Sequence, residues 1–318
     1  MPDVVIAHHL PDGIAAQLAA VLPPGAQLVR TPKDASWQIP EEATVMVCLP
    51  PHAGVYFPKE APEGWPFGLR WVQAVSTGID DYPRWVFGVE HATCGRGTQS
   101  AAIAEYAVAS ILALEKNFPE VWIDDPEPWY PMQQKPIGTI EGKTIGVIGY
   151  GTIGQGVARR VLPFGASVVV NRRSGAGRDG DVEFAPLDEV LARADHLVLA
   201  APLTPQTRHL IRRETLAKMK PEAHLVNVAR GGMVDQDALI EALDAGRLRF
   251  ATLDVTDPEP LPKGHPLYAH PRARVTPHVS WGKGGNPFDA IGALIAENVR
   301  RFLDGRELLS PIDREAGY

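Results

Sequence analysis

Short apolar runs recur along the whole chain, each closed by Gly, Pro, Asp or Asn. Runs this short, rich in Val, Ile and Leu and without a polar face, read as buried strands. In the first part of the chain they predict strands over 4–8, 26–30, 44–49, 70–76 and 89–94, with a helix over 14–21. A longer run, "SAAIAEYAVASILALEK" (100–116), predicts a helix that bridges to a second unit. There, strands are predicted over 144–148, 167–170, 195–200, 224–228, 250–255 and 274–276, with a helix over 155–162. Residues 117–140, rich in Trp and Pro, read as an extended arm. A closing helix has its own punctuation: Asn286 can cap it, Pro287 suits its first position, Asp289 its first turn, and Gly305 ends it. The alternation predicts an α/β chain with two parallel-sheet domains, and the closing helix returns to the first of them. The boundaries fall at 1–98 with 284–318, and at 99–283.

The second unit opens on "TIGVIGYGTIGQGVARR", a strand, a G-x-G-x-x-G and a helix. Gly149 suits the tight turn, Gly151 lets the backbone approach a pyrophosphate, and Gly154 lets helix and strand pack closely. Tyr150, Thr152 and Ile153 complete the loop, and the amides at the helix start attract phosphate charge. This is the fingerprint of a Rossmann dinucleotide-binding domain. At the end of the next strand, where an acidic residue would accept from the ribose hydroxyls of NAD, the chain has Asn171-Arg172-Arg173-Ser174. Two planar guanidiniums and two short polar side chains suit a 2′-phosphate. The turn therefore favours NADP(H) over NAD(H); the alternative is a solvated basic turn, with NAD(H) as cofactor.

With 318 residues and 45% apolar content, the chain has the material for two cores. A net charge of −7 argues against nucleic acid as a main partner. Two cysteines, Cys48 and Cys94, imply no disulfide framework and fit a reducing cytoplasm. No signal-peptide pattern or membrane-length apolar run is evident, and no His, Cys, Asp and Glu grouping has metal-ligand spacing.

Two parallel sheets facing each other would leave a crevice, and ligands bind beyond the carboxyl ends of such strands. The polar residues there are Ser76-Thr77-Gly78 in the first domain and Arg230, Asp254, Glu259 and His278 in the second. The segments around them, "VNVARGGMVDQDALIEALDAGRL" (226–248), "LDVTDPEPLPKGHPLY" (253–268) and "VTPHVS" (275–280), resemble the signature blocks of the D-isomer-specific 2-hydroxyacid dehydrogenases. "VSTGIDDY" (75–82), "IAEYAVASILAL" (103–114) and "APLTPQTRHLI" (201–211) match further family segments, so the resemblance covers nearly the whole chain. It implies a Rossmann domain inserted in a flavodoxin-like substrate domain.

The resemblance also places a catalytic Arg, Glu and His on Arg230, Glu259 and His278. His278 would donate a proton to the alkoxide formed when hydride reaches a 2-keto acid. Glu259 would hold the imidazole, and Arg230 would grip carboxylate and carbonyl oxygen. Thr77 and Gly78 would complete the carboxylate site. Ala201, Pro202, Thr207, Val228 and Ala229 would join the cofactor site, with Asp254 orienting the nicotinamide amide. The implied activity is an NADPH-dependent reductase of small 2-keto acids of the glyoxylate/hydroxypyruvate class, giving the D-2-hydroxy acid.

Where the chain departs from the family pattern, readings stay open. "VSWGKGGNPF" (279–288) is unusual; Trp281 either narrows the substrate site or packs between domains. Leu49, before Pro50-Pro51, stands where formate dehydrogenases have an amide, and with His52 and Tyr56 it is a candidate to shape the substrate pocket. Trp122 and Trp129 lie in an arm like the one through which relatives dimerise; a homodimer is expected, with Trp129 the candidate to reach the partner's site. Phosphoglycerate dehydrogenase is disfavoured by the lack of a tail after the closing helix, and phosphite dehydrogenase by the lack of a lysine in "AVSTGIDDY". A nucleotide-sensing corepressor is the alternative outside enzymes, and the lack of a disordered tail weighs against it.

Overall fold

Strands that are apolar on both faces form a sheet covered on both sides. Three of them, β1 Val4–His8, β3 Ala43–Cys48 and β4 Trp71–Ala74, join the edge strands β2 Ala26–Arg30 and β5 His91–Thr93 in one parallel sheet of order β2-β1-β3-β4-β5. This flavodoxin-like order is the first half of the expected architecture. The structure, a computed structural model, describes residues 4–118, 120–282 and 288–318. The chain divides into two compact units, Met1–Gln99 with Lys283–Tyr318, and Ser100–Gly282. In the first, the helices Asp12–Val21 and Asp289–Leu303 give Leu18, Ile291, Ile295 and Val299 to the same core as β1, β3 and β4. The expected cap Asn286 and first-position Pro287 lie outside the described residues. Asp289 does stand in the first turn, and Gly305 follows the last in the left-handed conformation (φ +65°).

The second unit holds β6 Thr144–Ile148, β7 Ser167–Asn171, β8 Gly177–Asp179, β9 Val182–Phe184, β10 His196–Leu199, β11 His224–Asn227, β12 Phe250–Leu253 and β13 Ala273–Val275. Their order is β13-β12-β11-β10-β6-β7-β9-β8, so the topological switch lies between β6 and β10. Side chains alternate between faces, as strand geometry requires. Ile145, Val147, Val168, Val170, Val198 and Val226 enter one core cluster, and Ile148, Val169, Leu197, Leu199 and Leu225 the other. Truncating one such Leu to Ala costs about 2–5 kcal/mol. The helix Ser100–Glu115 lies against the helix Thr152–Val161, with Ser100 Oγ 2.7 Å from Thr152 Oγ1.

Three details differ from the sequence expectation. The helix after the glycines begins at Thr152, three residues before the predicted 155, because Gly151 already serves as its N-cap. The arm is not extended throughout: Trp129–Gln133 forms a short helix, with Pro131 tolerated inside its first turn. The expected pattern also lacks the hairpin of β8 and β9, the one antiparallel pairing of this sheet among the described residues. Its two-residue loop, Gly180-Asp181, has Gly180 at φ +56°, the positive φ that such tight loops require.

Candidate active site

The glycine loop follows β6 at the switch point. Gly149 has φ +97°, and a Cβ there would lie 2.8 Å from Ala200 O and Ala201 N. The turn thus closes against the segment after β10, where Thr207 Oγ1 donates to Pro202 O at 2.7 Å. A Cβ on Gly154 would lie 2.1 Å from Gly149 O, so only glycine fits between helix and turn. At Gly151 a Cβ would meet nothing within 4 Å. The backbone there faces open space at the start of a ten-residue helix with no acidic residue in its first turn. An open cradle with unshared amides fits a pyrophosphate.

Beyond β7 the basic turn is built by contacts with the hairpin. Asn171 Nδ2 donates to Ala185 O at 3.2 Å. The Arg172 Cζ sits 3.5 Å from the centroid of the Phe184 ring, and its Nε donates to Gly175 O at 3.3 Å. Arg172 is half-buried, whereas Arg173 and Ser174 are exposed. Tyr150 meets Phe184 edge-on at 5.0 Å and donates to Asp179 Oδ2 at 3.1 Å. Burial, with Asp179 beside it, pushes the Tyr150 phenol up, so it stays a donor at neutral pH.

Arg230 follows β11 after the buried Val228 and Ala229. Asn227, 1% exposed, shapes this turn: its Nδ2 donates to Arg230 O at 2.9 Å and its Oδ1 accepts from Ala229 N at 3.1 Å. A Cβ on Gly231 would lie 1.9 Å from the Thr256 carbonyl carbon. The Arg230 turn is therefore pressed onto the segment that leads to Glu259. Glu259 Oε1 is 2.5 Å from His278 Nδ1, both side chains being partly exposed.

His278 has φ +51°, which is strained for a residue with a side chain, and its neighbours hold it there. Its amide donates to Asp254 O at 2.9 Å. The Asp254 carboxylate, 1% exposed, accepts from Thr276 Oγ1 at 2.6 Å and from the amides of Val279 and Ser280, each at 2.9 Å. Tyr106 OH lies 2.6 Å from Thr276 Oγ1 and extends the chain of bonds. Beyond the nicotinamide role expected of Asp254, both its oxygens accept from the backbone that follows His278. A lone Asp after a strand carries no signal for this. The Gly-Asp pair at 180–181 was a readable signal for the hairpin under Arg172.

In the first unit, Thr77 Oγ1 donates to Gly95 O at 3.2 Å and Ser76 Oγ to Gly78 O at 2.7 Å. His52 Nδ1 is 2.9 Å from Asp81 Oδ2 on the surface. Leu49 is 7% exposed and belongs to that unit's core. In the second unit, Trp281 is 38% exposed. Among the described residues no His, Cys, Asp and Glu group could hold a metal, and no helix is long and apolar enough to cross a membrane.

A family model for the D-isomer specific 2-hydroxyacid dehydrogenase NAD binding domain matches residues 108–280. Hydroxypyruvate reductase of Thermotoga maritima is 34% identical over 223 residues, 70% of this chain and 68% of that one. A D-3-phosphoglycerate dehydrogenase of Methanocaldococcus jannaschii is 37% identical over 214 residues; these make up 65% of this chain and 40% of that one. Among solved structures, a D-isomer specific 2-hydroxyacid dehydrogenase from Xanthobacter autotrophicus, in complex with NADPH and MES, has a TM-score of 0.80 at 27% identity, with 100% of both chains covered. The chain belongs to the D-isomer specific 2-hydroxyacid dehydrogenase family of NAD(P)-dependent oxidoreductases.

Proposed function

We propose that the protein reduces a small 2-keto acid of the glyoxylate/hydroxypyruvate class to the D-2-hydroxy acid, with NADPH preferred over NADH. The observation that carries the reading is the 2.5 Å contact between Glu259 Oε1 and His278 Nδ1. A carboxylate on Nδ1 fixes the ring tautomer and leaves Nε2 to carry the transferable proton. Bound NADPH supplies the hydride. Arg230 orients the substrate through its carboxylate and stabilises charge on the carbonyl oxygen. The substrate roles of Thr77, Gly78, Leu49 and Trp281 are part of the same proposal, as is the seating of the cofactor by the loops at 149–154, 171–174, 201–207 and 228–230.

The preference for NADPH rests on Asn171-Arg172-Arg173-Ser174, a turn without a carboxylate. Two charge-assisted contacts at about 1.5–3 kcal/mol each, reduced by partial exposure, correspond to a preference of roughly ten- to several-hundred-fold. The exposed aromatics Trp122, Trp129 and Tyr130 support a homodimer formed through the arm. A panel of glyoxylate, hydroxypyruvate, 3-phosphohydroxypyruvate and larger keto acids, each assayed with NADPH and NADH, tests the whole reading. The likeness to phosphoglycerate dehydrogenase makes the phosphorylated substrate the informative competitor. Best turnover on it, or equal use of both cofactors, would overturn the proposal.

A further inference from the structure

Cofactor choice in the reading above depends on where Arg172 is held, and besides Gly175 of its own turn its neighbours come from the hairpin. We propose that Phe184 is a positioning residue for cofactor selection: its ring holds the Arg172 guanidinium ready for the 2′-phosphate of the dinucleotide. The inference rests on the NADPH reading.

Phe184 is 3% exposed and lies in β9, so its ring is fixed by the sheet. The Arg172 Cζ is 3.5 Å from the ring centroid, a close face-on cation–π contact. Gly175 O takes the Nε–H, and β8 runs alongside: a Cβ on Gly177 would lie 3.8 Å from the Phe184 ring and 3.9 Å from Arg172 NH2. Stacking uses a face of the guanidinium and none of its N–H groups. The planar donors of the two terminal nitrogens are therefore not consumed by the ring. The same ring receives Tyr150 of the glycine loop edge-on. One buried side chain thus links the loop suited to pyrophosphate to the guanidinium suited to the 2′-phosphate. An arginine already held in place loses less freedom when it binds an anion.

The test compares Phe184→Leu, Phe184→Tyr, Arg172→Ala and the Phe184→Leu/Arg172→Ala double variant. Calorimetry of 2′,5′-ADP and of 5′-AMP binding reads the site without turnover. Phe184→Leu should weaken 2′,5′-ADP by about three- to tenfold while changing 5′-AMP by less than about twofold. Phe184→Tyr, which keeps the ring face, should restore wild-type binding. In the double variant the loss should equal that of Arg172→Ala alone, because the ring acts only through the arginine. Phe184→Met, of similar volume, replaces the leucine variant if that does not fold. Selective loss of 2′,5′-ADP in Arg172→Ala with none in Phe184→Leu overturns this inference and leaves the NADPH reading standing. Equal weakening of both nucleotides in Phe184→Leu assigns the ring a purely structural role and also overturns it. Equal binding of both nucleotides by the wild type overturns the NADPH reading and the inference together.

Discussion

The two units place a strand, a turn and a helix in the same relation at β1 and at β6, and use the two turns in opposite ways. After β1, side chains fill the turn: His8, His9 and Leu10 are 3%, 1% and 1% exposed, and His8 Nδ1 accepts from Leu10 N at 3.1 Å. The helix that follows has Asp12 in its first turn, a carboxylate that pairs with Arg30 and places negative charge at the helix start. After β6 the turn is glycine, no acidic residue stands in the first helical turn, and Gly151 faces open space. One turn is filled by side chains and carries a carboxylate at its helix start, and the other is left open and without one. The parallel architecture alone therefore does not make a nucleotide site; what the turn leaves out does.

The sharpest version of the contrast sets a histidine buried in the first unit against one presented by the second. His278→Asn should lower kcat with the best keto acid by about 10²–10⁴-fold, the usual range for losing a general acid. His9→Leu should leave kcat and KM unchanged. Steady-state kinetics on both variants, with melting curves to confirm folding, decide it. Near-normal turnover in His278→Asn removes that residue from the mechanism.

The glycines separate folding from binding within one turn. A methyl at Gly154 would meet Gly149 O at 2.1 Å, so Gly154→Ala should cost about 3 kcal/mol or more of stability. A methyl at Gly151 meets no protein atom within 4 Å. Gly151→Ala should therefore melt like the wild type and yet bind NADPH about ten- to a hundredfold more weakly, since the methyl enters the space offered to the pyrophosphate. Thermal melts and fluorescence titrations of both variants suffice. Undiminished NADPH binding by Gly151→Ala would break the comparison at its centre.

The filled turn also has a consequence in acid. Burial pushes the His9 imidazole down to about 4, with the Ser36 backbone opposing the shift. Neither ring nitrogen has a hydrogen-bond partner of good geometry among the described residues. Burial, with His196 and Arg249 beside it, likewise holds His224 well below its ordinary value. The unfolded chain takes up these protons near pH 6.5, and the folded chain only at lower pH. The stability tied to neutral His9 is thus fully present above pH 6.5 and is lost as the pH falls toward 4. Between about pH 7.5 and about pH 5 the loss at His9 alone is about 2 kcal/mol. Urea denaturation at the two pH values should show it, and His9→Leu should reduce the dependence by that amount. An identical pH dependence in wild type and variant would show that His9 titrates normally.

Legibility in the sequence follows the range of the physics. The two sheets were readable because strands buried on both faces leave continuous apolar runs, and the glycine loop because its spacing is local. The β8–β9 hairpin escaped because Gly177–Asp179 is exposed and carries no apolar signal. The contacts of Asp254 with the His278 segment escaped for another reason. Its partners Thr276, Val279 and Ser280 stand more than twenty residues away, and only the pairing of β12 with β13 brings them together.

The smallest expected effect concerns the basic turn after β7. Arg173 and Ser174 are exposed and Arg172 is half-buried, so their attraction for a 2′-phosphate acts partly through solvent and is screened by salt. The screening length falls from about 14 Å at 0.05 M to about 4 Å at 0.5 M salt. Over that range the ratio of kcat/KM for NADPH to that for NADH should fall by about two- to threefold. The ratio is the right observable because both cofactors share the pyrophosphate and nicotinamide contacts, whose salt dependence cancels. Phe184 shields one face of Arg172, which limits the fall; Arg172→Ala, relying on Arg173 alone, should show a smaller preference with proportionally greater salt sensitivity. A ratio that does not move with salt would place the origin of the preference in enclosed contacts rather than in the basic turn.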